Sequence, residues 1–237
     1  MFTYKNIKAS DMGLRVLNDV LFTSPERDTE LIQVPGRDGD LVMSHDRYHS
    51  VIRSIPCRLE AHLGNVEKLI NDINNWLVNS DGFHEFLWHN DPDFIYKAKI
   101  EGHIESQRML TRFAHTVIEF RLHPIKYHRL SLREREIENG AVVVNALPLD
   151  AKPIIRIVGG GDVTVQLGDQ QIILTALPDG CIIDSETQTI TDLNQTTTLF
   201  THMRSYPFPK LKPGNNKLTW TAEHIRVFLT PRLGALV

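Results

Sequence analysis

NVEKLINDINNWLVN, residues 65–79, decides how the front of this chain folds. Val66, Leu69, Ile70, Ile73, Trp76 and Leu77 recur at the i, i+3, i+4, i+7 spacing of one α-helical face. No other run in the 237 residues repeats that pattern. Asn65 is placed to cap the first turn with its side-chain oxygen, and Glu67 lies toward the positive end of the helix dipole. Asn79-Ser80-Asp81-Gly82 reads as the stop. Each large apolar side chain on the stripe stabilises by about 1.5–3 kcal/mol when buried, so the helix needs a sheet to cover.

The flanks supply that sheet. From Ile55 to Ala61 the residues alternate, with Ile55, Cys57, Leu59 and Ala61 on one face and Pro56, Arg58 and Glu60 on the other. Gly82 to Trp88 is aromatic and strand-like. Phe94 to Ile104 alternates through Tyr96, Ala98 and Ile100, and Arg112 to Leu122 places Ala114, Thr116, Ile118, Phe120 and Leu122 inward. Upstream, Phe2 to Phe22 suits two strands around Ser10-Asp11-Met12-Gly13, and Ser24 to Asp28 is a loop. Leu31–Val34 and Asp40–Met43 enclose Pro35-Gly36-Arg37-Asp38-Gly39, which holds two turn dipeptides and so predicts an exposed hairpin tip. One helix among many strands is an α+β arrangement that closes near Pro124, with Tyr127–Gly140 as a connector or exposed edge.

Past the connector, helical periodicity is lost and Thr, Gly and β-branched residues dominate. Strands are expected at Pro153–Val158, Asp162–Leu167, Gln170–Thr175, Cys181–Asp184, Thr189–Asp192, Thr197–Thr201, Asn216–Trp220 and His224–Leu229, at the spacing of a β-sandwich. The chain is therefore expected to be mainly β (β + α): a β-sandwich-type domain with one helix and a β-hairpin over residues 1–135, then a second β-sandwich over 136–237.

Composition narrows the function. A hydrophobic fraction of 41% with 23% charged residues is ordinary for a globular protein, and the net charge of −3 carries no basic surplus for nucleic acid or membrane. No apolar run nears the ~18 residues of a membrane span, and Met1–Ser10 lacks the pattern of a signal peptide, so a cytosolic start in the producing cell is expected. Cys57 and Cys181 read as buried free thiols. Catalytic patterns fail on spacing. His84-Glu85 and His89 are one residue too far apart for a zincin helix. Gly159-Gly160-Gly161 lacks the glycine fingerprint of a nucleotide loop and reads as a turn. His45, Asp46 and His49 read as a solvated loop, and Asp91 and Asp93 as turn residues. No enzyme, cofactor or metal is expected.

Val34-Pro35-Gly36-Arg37-Asp38-Gly39-Asp40-Leu41, followed by an alternating strand and a lone amphipathic helix, resembles the N-terminal domain of the distal tail (Dit) proteins of long-tailed siphophages. Asp179-Gly180-Cys181-Ile182-Ile183-Asp184 and Phe208-Pro209-Lys210-Leu211-Lys212-Pro213-Gly214-Asn215-Asn216 look like two phrases of that family's galectin-like C-terminal domain. The resemblance implies a structural virion protein of the tail tip. Its N-terminal domains would form a homo-hexameric ring that joins the tail tube protein to a tail-associated fibre or baseplate protein. The ring would leave a channel through which DNA passes without being specifically bound, and no membrane is involved. The Pro35–Gly39 loop is expected to reach a neighbouring subunit, since an exposed guanidinium at Arg37 suits carboxylate pairing across an interface. A conduit that does not hold phosphates should have a neutral or acidic wall. The alternative is a carbohydrate-binding module for the host cell wall. It would need an exposed aromatic platform, for which the second half offers Phe200, Tyr206, Phe208, Trp220 and Phe228. One departure is that Pro231 is followed by Arg232-Leu233-Gly234, where the family commonly has an aromatic.

Overall fold

The computed structural model describes residues 1–17, 20–61, 66–79, 81–110 and 113–237. Contacts divide the chain into two units, Met1–Lys126 with Leu236–Val237, and Tyr127–Ala235. Each is mainly β.

The first unit contains β1 (Phe2–Tyr4), β2 (Ile7–Lys8), β3 (Leu14–Val16), β4 (Arg27–Ile32), β5 (Leu41–Tyr48), β6 (Val51–Glu60), α1 (Val66–Val78), β7 (His84–Trp88), β8 (Phe94–Ile100), β9 (Glu105–Leu110) and β10 (Phe113–Leu122); β11 (Ile125–His128) leads out of it. The main sheet runs β2-β1-β7-β8-β10-β6-β3, and β9 and β8 pair with successive halves of β10. The alternation of β6 and β10 matches burial: Ile55, Cys57, Leu59, Ala114, Ile118, Phe120 and Leu122 are all buried. Helix α1 buries Val66, Ile73, Trp76 and Leu77 against this face, with Leu69 and Ile70 partly buried. The proposed Asn65 cap and Ser80 of the stop signal lie outside the described residues, while Gly82 takes a left-handed φ of +79°. Phe2 stacks on Trp76 and Phe86, and Tyr4 and Phe120 complete an aromatic cluster. At the helix C-terminus Lys5 Nζ donates to the Trp76 carbonyl, 3.1 Å, placing a cation at the negative end of the dipole.

Upstream of α1 the sequence reading differs from this unit in two places, and downstream the expected Phe94–Ile104 strand ends at Ile100, with the unexpected β9 following at Glu105–Leu110. The Phe2–Phe22 stretch holds three short strands among its described residues rather than two, because Lys5 and Asn6 both adopt left-handed φ and turn the chain after Tyr4. The hairpin is also longer than the apolar runs showed. Polar residues Arg27–Glu30 and Ser44–Tyr48 extend it, so His45 and Asp46 stand in β5 rather than in a loop.

The second unit contains β12 (Arg135–Ile137), β13 (Val142–Asn145), β14 (Ile154–Val158), β15 (Gly161–Leu167), β16 (Gln170–Leu177), β17 (Gly180–Asp184), β18 (Thr189–Thr191), β19 (Gly214–Trp220), β20 (Arg226–Thr230) and β21 (Gly234–Leu236), whose Leu236 counts with the first unit. Its sheets run β12-β20-β14-β17-β18 and β13-β19-β15-β16. Alternate residues of both, among them Ile155, Ile157, Ile183 and Leu229 from one and Val165, Leu167, Leu174 and Leu218 from the other, form a single core. The segment 127–135, placed by the sequence reading at the end of the first domain, makes side-chain bonds within this unit. Tyr127 Oη donates to Glu186, Ser131 Oγ to the His128 carbonyl, and Arg156 pairs with Glu134 through two hydrogen bonds.

Thr197–Thr201 is not a strand. The Asp192 carboxylate accepts the Thr196 and Thr197 amides, curling the chain into a turn, and Phe200–His202 is a short 3-10 helix. Both recurring phrases have structural roles. Gly180 sits at φ +137° with no room for a Cβ, whose nearest neighbour would be the Ile157 carbonyl at 2.3 Å. Buried Asn216 clasps its own turn, donating to the Lys212 and Gly214 carbonyls and accepting the Lys212 amide. After Pro231, Arg232 adopts a left-handed φ of +53° and binds both carboxylate oxygens of Asp184, at 2.6 and 3.0 Å.

Candidate interaction surface

Strands β4 and β5 pair with each other and with no other strand among the described residues. A lone two-stranded ribbon is marginally stable in water, and this one exposes apolar residues on both faces. Cross-strand register puts Leu31 opposite Val42, and Ile32 opposite Leu41 with Glu30 opposite Met43 beside them. Directly opposed residues share a face, so Leu31 and Val42 form one apolar patch, and Ile32, Leu41 and Met43 the other. Leu31 is 62% exposed and Val42 61%, with Leu41, Met43 and Val34 also open.

The root of the ribbon is polar instead. Arg27 donates to Ser44 Oγ and Asp46 Oδ1, Arg47 donates to Asp28, and His49 and His45 face Asp28 and Glu30 at 3.6 and 3.9 Å. The Arg47 bond holds the Asp28 carboxyl below its usual range. The ribbon thus has a charged, self-paired base and an apolar outer half, which sets the outer half as the part available to a partner.

Pro35-Gly36-Arg37-Asp38-Gly39 forms the exposed tip. Its turn is closed by the Arg37 amide donating to the Val34 carbonyl, 3.2 Å, and Gly36 and Gly39 take φ +82° and +78°, which glycine adopts without strain. Sequence reading located this tip but not the apolar patches beneath it. The signal was present in Leu31, Leu41, Val42 and Met43, read there as strand formers alone.

The residues considered for catalysis do not converge. His84 and Glu85 are neighbours on β7 and so project to opposite faces, and His84 Nε2 lies 3.0 Å from the Asp81 carbonyl. Among the described residues no group of three or more His, Cys, Asp or Glu side chains is placed to hold a metal ion. Burial acts to raise the Asp91 pKa, but hydrogen bonds from Lys126 and Tyr96 bring it below the usual carboxylate range. Burial pushes both Cys57 and Cys181 up to about 12, leaving unreactive free thiols. No described helix is long and apolar enough to cross a membrane.

The aromatics weighed for sugar binding are divided. Phe208 is buried, Trp220 packs against the core, and Phe228 lies under the Arg156 guanidinium at 3.8 Å, whereas Phe200 is 49% and Tyr206 80% exposed.

No family model matches the sequence, and no curated protein does either. The fold does have a match among solved structures. The crystal structure of the Dit (gp 19.1) protein of phage SPP1, described as a paradigm of the hub adsorption apparatus in Gram-positive infecting phages, superposes with a TM-score of 0.76. The match covers 99% of this chain and 98% of that one at 15% sequence identity. At that identity the likeness is one of fold, and it spans both units: the chain has the fold of a phage distal tail protein.

Proposed function

We propose that this chain is a structural protein of the phage tail tip, a hub rather than an enzyme. The single observation that carries the reading is the end-to-end match to SPP1 Dit, since a shared sandwich alone would match one unit and not both in order. The first unit builds a homo-hexameric ring, with the β4–β5 hairpin and its Pro35–Gly39 tip reaching a neighbouring subunit. The ring joins the tail tube protein on one side to a fibre or baseplate protein on the other, and its channel lets DNA through. The second, galectin-like unit projects from the ring.

The exposed hairpin supports this reading, because a contact between one surface of a subunit and a different surface of the next closes into rings when the rotation permits. Light scattering across a concentration series, with negative-stain imaging of the largest species, tests it. Six-fold rings with an open centre are expected. A monomer at every concentration would overturn self-assembly. Binding of host-wall saccharide that is lost in Tyr206→Ala would favour the carbohydrate-binding alternative.

A further inference from the structure

Arg53 lies on the core-facing side of β6, where the alternation calls for an apolar residue, and it is 2% exposed. Its Nε and Nη1 have no hydrogen-bond partner among the described residues. Buried guanidinium donors are costly to leave unmet, so their retention needs a reason. The nearby carboxylate of Asp91 is already engaged, accepting from Tyr96 Oη at 2.5 Å and from Lys126 Nζ at 2.6 Å. Arg53 is compensated by a hydrogen bond with Tyr96 and by aromatic faces. Its guanidinium carbon lies 4.6 Å from the centroid of Phe22 and 5.7 Å from that of Tyr96. Such contacts strengthen when desolvated.

Phe22 has no comparable reason to be where it is. Its ring is 61% exposed, touches the edge of Trp88 at 6.3 Å and covers the cation. It also sits shortly before β4, at the root of the hairpin, where Val20 packs against the core and the His49 amide, donating to the Glu26 carbonyl, joins the two arms of the base.

We propose that Phe22 and Arg53 form a latch that fixes the hairpin root to the body of the first unit, so that the hairpin leaves the unit in one direction before any partner is met. Fixing that direction in advance lowers the ordering cost of docking. The latch goes beyond the ring reading and holds whether or not rings form.

Hydrogen–deuterium exchange read by mass spectrometry on the full chain tests it, with phenylglyoxal labelling of Arg53 alongside. In Phe22→Ala the root amides, His49 above all, are expected to exchange about tenfold faster while β10 keeps its protection, and Arg53 becomes labelled. Phe22→Tyr should restore both. Arg53→Met, which replaces a buried charge by an apolar chain, should loosen the root equally while the unfolding midpoint holds or rises. Unchanged root protection in either Phe22→Ala or Arg53→Met would overturn the latch. Loosening of the root and β10 together would also overturn it, by showing Arg53 and Phe22 to be core filler.

Discussion

Removing the apolar patch of the hairpin gives the sharpest test of what this surface is for. Leu31→Ala deletes three carbons and Val42→Ala two, at about 0.8 kcal/mol per buried carbon. Leu31 is 62% and Val42 61% exposed in the single chain, so roughly that share of the burial remains to be gained on docking. The losses are then about 1.5 kcal/mol for Leu31 and about 1.0 kcal/mol for Val42, or about 2.5 kcal/mol at each contact. Since 1.4 kcal/mol is tenfold, the double variant should associate about 60-fold more weakly. Its thermal unfolding at low concentration should not change, because neither side chain is in a core. Sedimentation velocity across a dilution series gives the association constant, and scanning fluorimetry of the dilute protein gives the midpoint. Association within threefold of wild type would refute the reasoning. A midpoint lowered by more than about 5 °C would refute it differently, by placing the residues in the fold rather than on its surface.

Other parts of the structure yield further expectations. Ile73→Ala removes a buried residue from the centre of the α1 stripe and should cost about 2–5 kcal/mol in urea unfolding. Lys5→Met removes the cation at the α1 C-terminus and should cost about 0.5–1 kcal/mol in the same assay. Arg232→Ala strands Asp184, whose side chain is 19% exposed, and should cost about 2–3 kcal/mol at neutral pH, less than for a fully buried pair. Burial acts to raise the Asp184 pKa, but Arg232 and the Glu186 and Thr187 amides hold it below the ordinary carboxylate value. A depressed folded pKa contributes stability that is complete above the unfolded value, about 3.9, and lost as pH falls through the folded one. Urea midpoints measured from neutral pH downward should therefore fall below about pH 4 in wild type, and the Arg232→Ala curve should be flatter there.

What the sequence determined by itself is what local spacing encodes. The stripe of α1 and the alternation of β6 and β10 are set by the helical and strand repeats, and a residue's place in such a repeat decides which way its side chain points before anything packs on it. The Pro35–Gly39 tip was legible for the same reason, since left-handed turns select glycine one position at a time. Tertiary structure decided the rest, through groups distant in sequence. Thr197–Thr201 has strand-forming composition, but the Asp192 side chain takes the Thr196 and Thr197 amides where it would begin. The chain passes to the second unit at Tyr127, where no composition changes, because Glu186 and Leu233 supply partners for Tyr127 and His128. The place of Arg53 in the β6 alternation sets it on the core-facing side, but only the tertiary structure brings the rings of Phe22 and Tyr96 to its guanidinium. The hairpin's apolar residues are the converse case. They look like ordinary strand formers in the sequence and stand in solvent in the fold, because among the described residues β4 and β5 pair only with each other, outside the main sheet.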